Sequence, residues 1–272
     1  MRDRIFATYL EMSARPPTEE GAAPQLIVWP ETAVPFILSE RPDALTAFAD
    51  LLQDGQTLLA GAVRLEGSGS DQPSRYYNSV VALNPEGEIY DAGDKIRLVP
   101  FGEYLPLSEW LTRIGLQRLV HSVSDFSPGA QRRSIETTQG VRVLPFICYE
   151  IIFPGIAGYG TADTDVLLNI TNDAWFGDTP GPYQHFRQAQ IRAVEAGLPL
   201  IRAANNGISG VIDAYGRVKD AFGINTVGVM DVAVPKQKLY PYFPTHIVGL
   251  AILLLAGIWG ATGSINSSRK LY

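Results

Sequence analysis

The sequence has one cysteine, Cys148, and three histidines, His121, His185 and His246, in 272 residues. A lone cysteine excludes an intrachain disulfide framework. These scattered residues offer no metal-ligand spacing, so neither a metal nor another cofactor is expected. Positive charge is in deficit: 22 Lys and Arg face 28 Asp and Glu, a net charge of −6. That balance gives no ground for nucleic-acid binding. The first residues, Met1-Arg2-Asp3-Arg4, lack the apolar core of a signal peptide. Ile5, Phe6, Tyr9, Leu10 and Met12 instead mark one face of an amphipathic surface helix. No internal repeat is visible. At 46% hydrophobic and 18% charged residues, the chain has the composition of a folded globular protein.

Long uncharged runs are also missing, with one exception near the C-terminus. Residues 243–264 carry no formal charge apart from a protonatable His246, around the apolar core Ile247 to Ala261. A spanning helix needs roughly 20 apolar residues, so a transmembrane helix is expected over 243–264, with a buried core helix as the alternative. Trp259 at one end and Tyr240, Tyr242 and Phe243 at the other suit interfacial anchors. The short tail, 265–272, carries Arg269 and Lys270 and is expected in the cytoplasm, although Lys236 and Lys238 on the other flank oppose that orientation. The large preceding domain, 1–240, is then expected outside.

That domain reads as alternating strands and helices. Leu26 to Trp29 is a short strand stopped by Pro30. Asp43 to Leu52 is an amphipathic helix with Asp43 as N-cap. Thr57 to Val63 and Tyr77 to Leu83 are strands around a Gly/Ser-rich loop, and the turn Asn84-Pro85-Glu86-Gly87 returns the chain through Glu88-Ile89-Tyr90. Val141 to Ile147, Asp165 to Ile170 and Leu200 to Ala204 are apolar runs of the kind buried on both faces. A helix fits Gln184 to Ala196, closed by Gly197. A hairpin follows over Gly210 to Val218. Tyr104 to Phe126 is apolar with few breaks and suits a core helix, or else a lid or membrane-facing arm. Together these imply a layered α/β domain.

Three residues stand where chemistry can occur. Cys148 ends the run Val143-Leu144-Pro145-Phe146-Ile147 and precedes Tyr149 and Glu150. Thiol chemistry uses the thiolate, so a base or positive charge beside Cys148 is expected to lower its pKa. Glu31, bracketed by Pro30 and Pro35, is placed to take the thiol proton and return it to a leaving group. Lys95, in Gly93-Asp94-Lys95-Ile96-Arg97, is placed to put positive charge on an oxyanion, with the backbone N–H after Cys148 as second donor. Taken singly, such a cysteine is usually a core residue, and such a Glu or Lys a solvated turn residue. The conjunction carries the reading.

The three segments resemble those of the carbon–nitrogen hydrolase (nitrilase) superfamily, whose catalytic set is Glu, Lys and Cys. Asn169-Ile170-Thr171-Asn172-Asp173-Ala174-Trp175-Phe176-Gly177, Gln184-His185 with Arg192 to Gly197, and Arg202 to Gly210 extend the resemblance from about Leu26 to Asp231. Val99-Pro100-Phe101-Gly102-Glu103-Tyr104-Leu105-Pro106 and Cys148-Tyr149-Glu150 are most similar to the apolipoprotein N-acyltransferase family. The resemblance implies a four-layer αββα sandwich and acyl transfer at the bacterial inner (plasma) membrane, with the catalytic domain periplasmic. An acyl chain would pass from a phospholipid, through a Cys148 thioester, to the N-terminal amine of a diacylglyceryl-cysteine apolipoprotein. It implies Glu31 as general base, Lys95 as oxyanion donor, Cys148 as nucleophile and Glu103 as a second essential carboxylate. Tyr149 and Glu150 would support the pocket, and Trp175 would line it.

Two departures accompany the resemblance. Members of the family carry several spanning helices before the catalytic domain, and here only one helix and a loop precede the Leu26 strand. The chain is therefore expected to be the C-terminal part of a longer protein, without the domain's first strand. A membrane-anchored amidase of the same superfamily is the alternative function, and an inactive truncated remnant the alternative from another class.

Overall fold

The structure, a computed structural model, describes residues 1–17, 23–67, 74–106, 126–155, 163–235 and 245–268; in the last segment side chains are described from 247 to 259. The chain divides into two compact units, Met1–Lys238 and Leu239–Tyr272.

The first unit is built on two sheets. One has the order β1-β2-β3-β4, formed by Leu26–Val28, Thr57–Glu66, Arg75–Leu83 and Ile89–Asp94. The other has the order β10-β9-β8-β7-β6-β5, formed by Val218–Phe222, Ser209–Ile212, Leu200–Asn205, Val166–Asn172, Arg142–Ile147 and Ile135–Glu136. Both are mixed. β1 runs parallel to β2, while β2, β3 and β4 form an antiparallel meander. β6, β7 and β8 are parallel, flanked by antiparallel pairs at each end. The long apolar runs of β6 to β8 follow from this, because strands of a parallel sheet are covered on both faces.

Alternation along β2 sorts the layers. Leu58, Ala60 and Ala62 pack with Phe6, Trp29, Phe48, Val81 and Leu83 under helices α1 (Arg2–Ser13) and α2 (Pro42–Leu51). Leu59, Val80 and Ala82 turn the other way and meet Ile135, Val143, Ile147, Val166, Leu168 and Ile170 of the second sheet. On that sheet's far face, Leu144, Phe146, Leu167, Leu200 and Ile212 take up Ala189 and Ala193 of helix α3 (Gly181–Ala196). The order is helices, sheet, sheet, helix, an α/β sandwich. Each fully buried Leu, Ile or Phe contributes roughly 1.5–3 kcal/mol to that arrangement. Edge-to-face contacts of Phe6 with Trp29 and Phe48 at 6.1 and 5.3 Å bind α1 into it.

Several expected boundaries move. The residue capping α2 is Arg41, and Asp43 lies inside the first turn, paired with the Arg41 guanidinium. Pro42 explains the earlier start, since proline suits a first helical turn. β2 and β3 reach beyond the expected spans, because the hairpin ladder continues to the pair Glu66 and Arg75. α3 starts at Gly181 and ends at Ala196, capped by Gly197, whose φ of +66° supplies the left-handed C-terminal position. Most of the 104–126 segment, residues 107–125, lies outside the described residues.

The second unit contains helix α4, Thr245–Ser268. Among the described residues, no helix is long and apolar enough to cross a membrane. The transmembrane helix expected at 243–264 finds no support among those residues. Residues 243–244 and 269–272 lie outside the described residues.

Candidate active site

The ends of β1, β4, β6 and β7 supply the site. β6 delivers Cys148 directly after Ile147, at the start of a tight 3-10 turn, Cys148–Ile152. Its φ is +54°, a left-handed value that L residues with a side chain rarely adopt. The strand thus ends in a sharp elbow whose tip is the thiol. Strain of this kind, about 1–3 kcal/mol, persists only where neighbours enforce it.

Here the neighbours do enforce it. Oε1 of Glu150 accepts from the backbone N–H groups of Ile96 and Arg97, at 2.8 and 2.9 Å, and Oε2 accepts from Ile147 N at 2.9 Å. Arg132 donates to both oxygens, at 2.5 and 3.2 Å. Both side chains are buried, so this bidentate pair is held in place with little solvent competition. Glu150 therefore ties the backbone just after Lys95 to the backbone just before Cys148. It braces the pocket from behind; its carboxylate is occupied and aimed at the framework.

Lys95 follows β4 and is 1% exposed. Its Nζ donates to Oε1 of Glu103 at 2.6 Å, and Oε2 of Glu103 accepts from Val99 N at 2.8 Å. Burial pulls the Lys95 ammonium down, but Cys148, Glu31 and Glu103 together hold it above the ordinary lysine value. It stays charged. Glu31, in the turn after β1, is buried as well. Asn78 donates to its Oε1 at 2.7 Å and to Glu103 Oε1 at 3.3 Å, linking the two carboxylates. Asn172 N donates to Glu31 Oε2 at 2.7 Å. The turn is set by close approach: a Cβ on Gly61 would stand 2.4 Å from the Pro30 carbonyl oxygen and 2.6 Å from the Glu31 Cα. Burial raises the Glu31 pKa, opposed by Lys95, Asn78 and Asn172.

The Cys148 thiol is pushed up to about 11, by burial first and the Glu31 charge second, against Lys95 and hydrogen bonds from Thr171 and Asn172. This is opposite to the lowered thiol pKa that the sequence suggests. The lysine's charge is divided among three acidic partners, so it does not win at the sulfur. A neutral thiol beside a carboxylate whose own pKa is raised is a proton-transfer pair. In such a pair a carboxylate is able to accept the proton when a sulfur attacks.

The structure thus brings Glu31, Lys95, Glu103 and Cys148 into one electrostatic group, with Glu150 bracing it. Tyr149 follows the elbow and is exposed; Trp175, on the turn after β7, is 84% exposed. Sequence reasoning missed Asn78 and Arg132, and gave no role to Asn169, Asp173, His185 and Arg202. Arg202 lies in the buried strand Leu200-Ile201-Arg202-Ala203, and a charge within an apolar run was the available signal. Among the described residues, no group of His, Cys, Asp and Glu is placed to hold a metal.

The carbon–nitrogen hydrolase family matches residues 2–242. An apolipoprotein N-acyltransferase of Brucella melitensis is 45% identical over 273 aligned positions, covering 100% of this chain and 51% of that protein. The apolipoprotein N-acyltransferase of Rhizobium etli is 51% identical over 269 positions, covering 97% and 50%. The chain spans about half the length of the curated relatives it matches. Among solved structures, a glutamine-dependent NAD+ synthetase from Acinetobacter baumannii aligns with a TM-score of 0.60 at 15% identity, over 82% of this chain and 41% of that one. An amidase of the nitrilase superfamily from Nesterenkonia AN1 aligns with a TM-score of 0.58 at 18% identity, over 83% and 82%. At those identities the likeness is one of fold, while the match over residues 2–242 establishes kinship: this chain belongs to the carbon–nitrogen hydrolase family.

Proposed function

We propose that the site performs N-acyl transfer in lipoprotein maturation. Cys148 takes an acyl chain from a phospholipid as a thioester and yields it to the N-terminal amine of a diacylglyceryl-cysteine apolipoprotein. The observation that carries this reading is the elbow thiol set against one buried carboxylate and one buried ammonium. The relatives' name, apolipoprotein N-acyltransferase, supports the choice of acceptor.

Glu31 takes the Cys148 proton as sulfur attacks the ester carbonyl. The C–S bond forms and the carbonyl electron pair moves onto oxygen, where the Lys95 ammonium and the Tyr149 N–H receive it. Collapse expels the lysophospholipid alkoxide, which takes the proton back from Glu31. The amine then attacks the thioester with Glu31 again accepting a proton, and the thiol is restored. Glu103 keeps Lys95 charged and aimed, and Glu150 fixes the spacing between Lys95 and the elbow. Tyr149 and the exposed Trp175 offer apolar surface at the mouth to a lipid-borne substrate. The setting is the bacterial inner membrane, with the catalytic unit, residues 1–240, on its periplasmic face.

The test supplies phosphatidylethanolamine with a dipalmitoylglyceryl-cysteine peptide and, separately, small amides. N-acylated peptide formed by wild type and abolished by Cys148→Ser is the expected result. Ammonia released from a small amide with no peptide acylation would replace this reading with the amidase one. Neither product, with an unreactive thiol, would mark an inactive remnant.

A further inference from the structure

The carbonyl of Cys148 is held by two buried donors for which acyl transfer, as drawn above, has no task. Nε2 of His185, on α3, lies 3.1 Å from it, and Nδ2 of Asn169, on β7, lies 3.3 Å from it while donating also to Phe146 O at 3.0 Å. A carbonyl oxygen only accepts, so Nε2 carries a hydrogen whichever state Nδ1 takes. Nδ1 faces Asp173 Oδ1 at 2.9 Å and Arg202 Nη2 at 3.1 Å. Arg202 in turn donates to Asp173 Oδ2 at 2.8 Å, to Asn169 Oδ1, and to Ile208 O at 3.1 Å. Thr171 donates to Asp173 Oδ1 at 2.9 Å. Asn169, Thr171, Asp173, His185 and Arg202 are all buried.

Two ions in a core cost several kcal/mol each in desolvation before pairing offsets it. The sandwich does not need them, since the neighbouring core is apolar. Their donors converge on one peptide, and that peptide's other end is the Tyr149 N–H.

We propose that His185 and Asn169 are positioning residues for the oxyanion site: by donating to the Cys148 carbonyl they orient and polarise the Cys148–Tyr149 peptide, whose N–H faces the developing oxyanion beside Lys95. The peptide is planar, so fixing its oxygen fixes the direction of its N–H. Donors at the oxygen draw electron density from the nitrogen and strengthen that N–H as a donor. They also hold Cys148 at its left-handed φ. Asp173 and Arg202 lock the imidazole and the amide in turn. His185 neither gives nor takes a proton in the reaction.

The inference rests on the thioester reading, so the test separates the two. The full chain and its His185→Leu and His185→Gln variants are compared in two reactions of Cys148 at one pH. Acylation by p-nitrophenyl butyrate passes through an oxyanion, whereas alkylation by iodoacetamide displaces iodide and forms none. Expected for His185→Leu is an acylation rate lowered about 10- to 100-fold with alkylation changed less than about threefold. Gln, whose amide can donate to the same carbonyl, restores most of the acylation rate. Should His185→Leu lose the native melting transition, His185→Asn, polar but too short to reach the carbonyl, takes its place. Acylation and alkylation falling in step, or acylation unchanged, would overturn the proposal alone. A wild-type chain alkylated at Cys148 yet releasing no p-nitrophenolate would overturn the thioester reading, and this proposal with it.

Discussion

At the scale of single residues, the account turns on a thiol that keeps its proton until it is needed. Burial and the Glu31 charge push Cys148 up to about 11. Removing that charge must therefore make the thiol more acidic. Glu31→Gln is expected to shift the pH midpoint of Cys148 alkylation below that of wild type, while acyl transfer falls by about 100-fold or more for want of a base. A midpoint moved upward would contradict the assignment of Glu31 as the neighbouring charge. Asp173 offers a second residue-level prediction. Burial raises its pKa, but His185, Arg202 and Thr171 outweigh that and hold it below the ordinary carboxylate value. A depressed folded-state pKa contributes stability that is present above the unfolded value of about 3.9 and is lost as pH falls through the folded value. Asp173→Asn strands the buried Arg202 and should cost about 3–5 kcal/mol at neutral pH. Its melting temperature should then vary less than that of wild type as pH falls below about 4. Thermal melts across pH check both.

At the scale of elements, the turn after β1 is the tightest fit in the site. Gly61 has no room for a methyl group against Pro30, Glu31 and the Thr32 nitrogen. Gly61→Ala must move backbone that carries Glu31, and a displacement near 1 Å is expected to lower transfer by about 100-fold. The stability loss should stay within about 1–3 kcal/mol, as for other overpacked sites. Steady-state kinetics with a melting curve would show it; unchanged turnover would mean the turn is looser than drawn. This contact also marks what the sequence made legible. The strand carrying Cys148, the helix closed by Gly197 and the hairpin turn at Asn84 to Gly87 announce themselves by period, by glycine and by turn chemistry. Gly61 does not, since it reads as one small residue in an apolar strand until β1 is laid beside β2. Arg132 and Glu150 lie 18 residues apart with β5 and β6 between them, and local pattern says nothing of such a pair. Asn78 was equally silent, because its two carboxylate partners come from the turn after β1 and a turn well past β4.

At the scale of the whole molecule, two sheets packed face to face collect strand ends from both halves of the sandwich. Glu31 and Lys95 come from the first sheet and Cys148 from the second. The inter-sheet core of Leu59, Val80, Ala82, Val143, Ile147 and Ile170 thereby sets the distance between Glu31 and Cys148. The fold class was legible because both-faces-buried strands alternating with helices leave few other arrangements. The C-terminal segment was read as a span by counting its apolar core together with its flanks; helix α4 forms there, and among the described residues no helix is long and apolar enough to cross a membrane. The measurement that bears most directly on the central claim is the intact mass of the chain after incubation with phosphatidylethanolamine in detergent, beside Cys148→Ser. The account predicts a gain of one acyl chain on the wild type alone, removed by hydroxylamine as a thioester is. An unshifted mass, with Cys148 still open to alkylation and butyrylated by p-nitrophenyl butyrate, would contradict the phospholipid as donor.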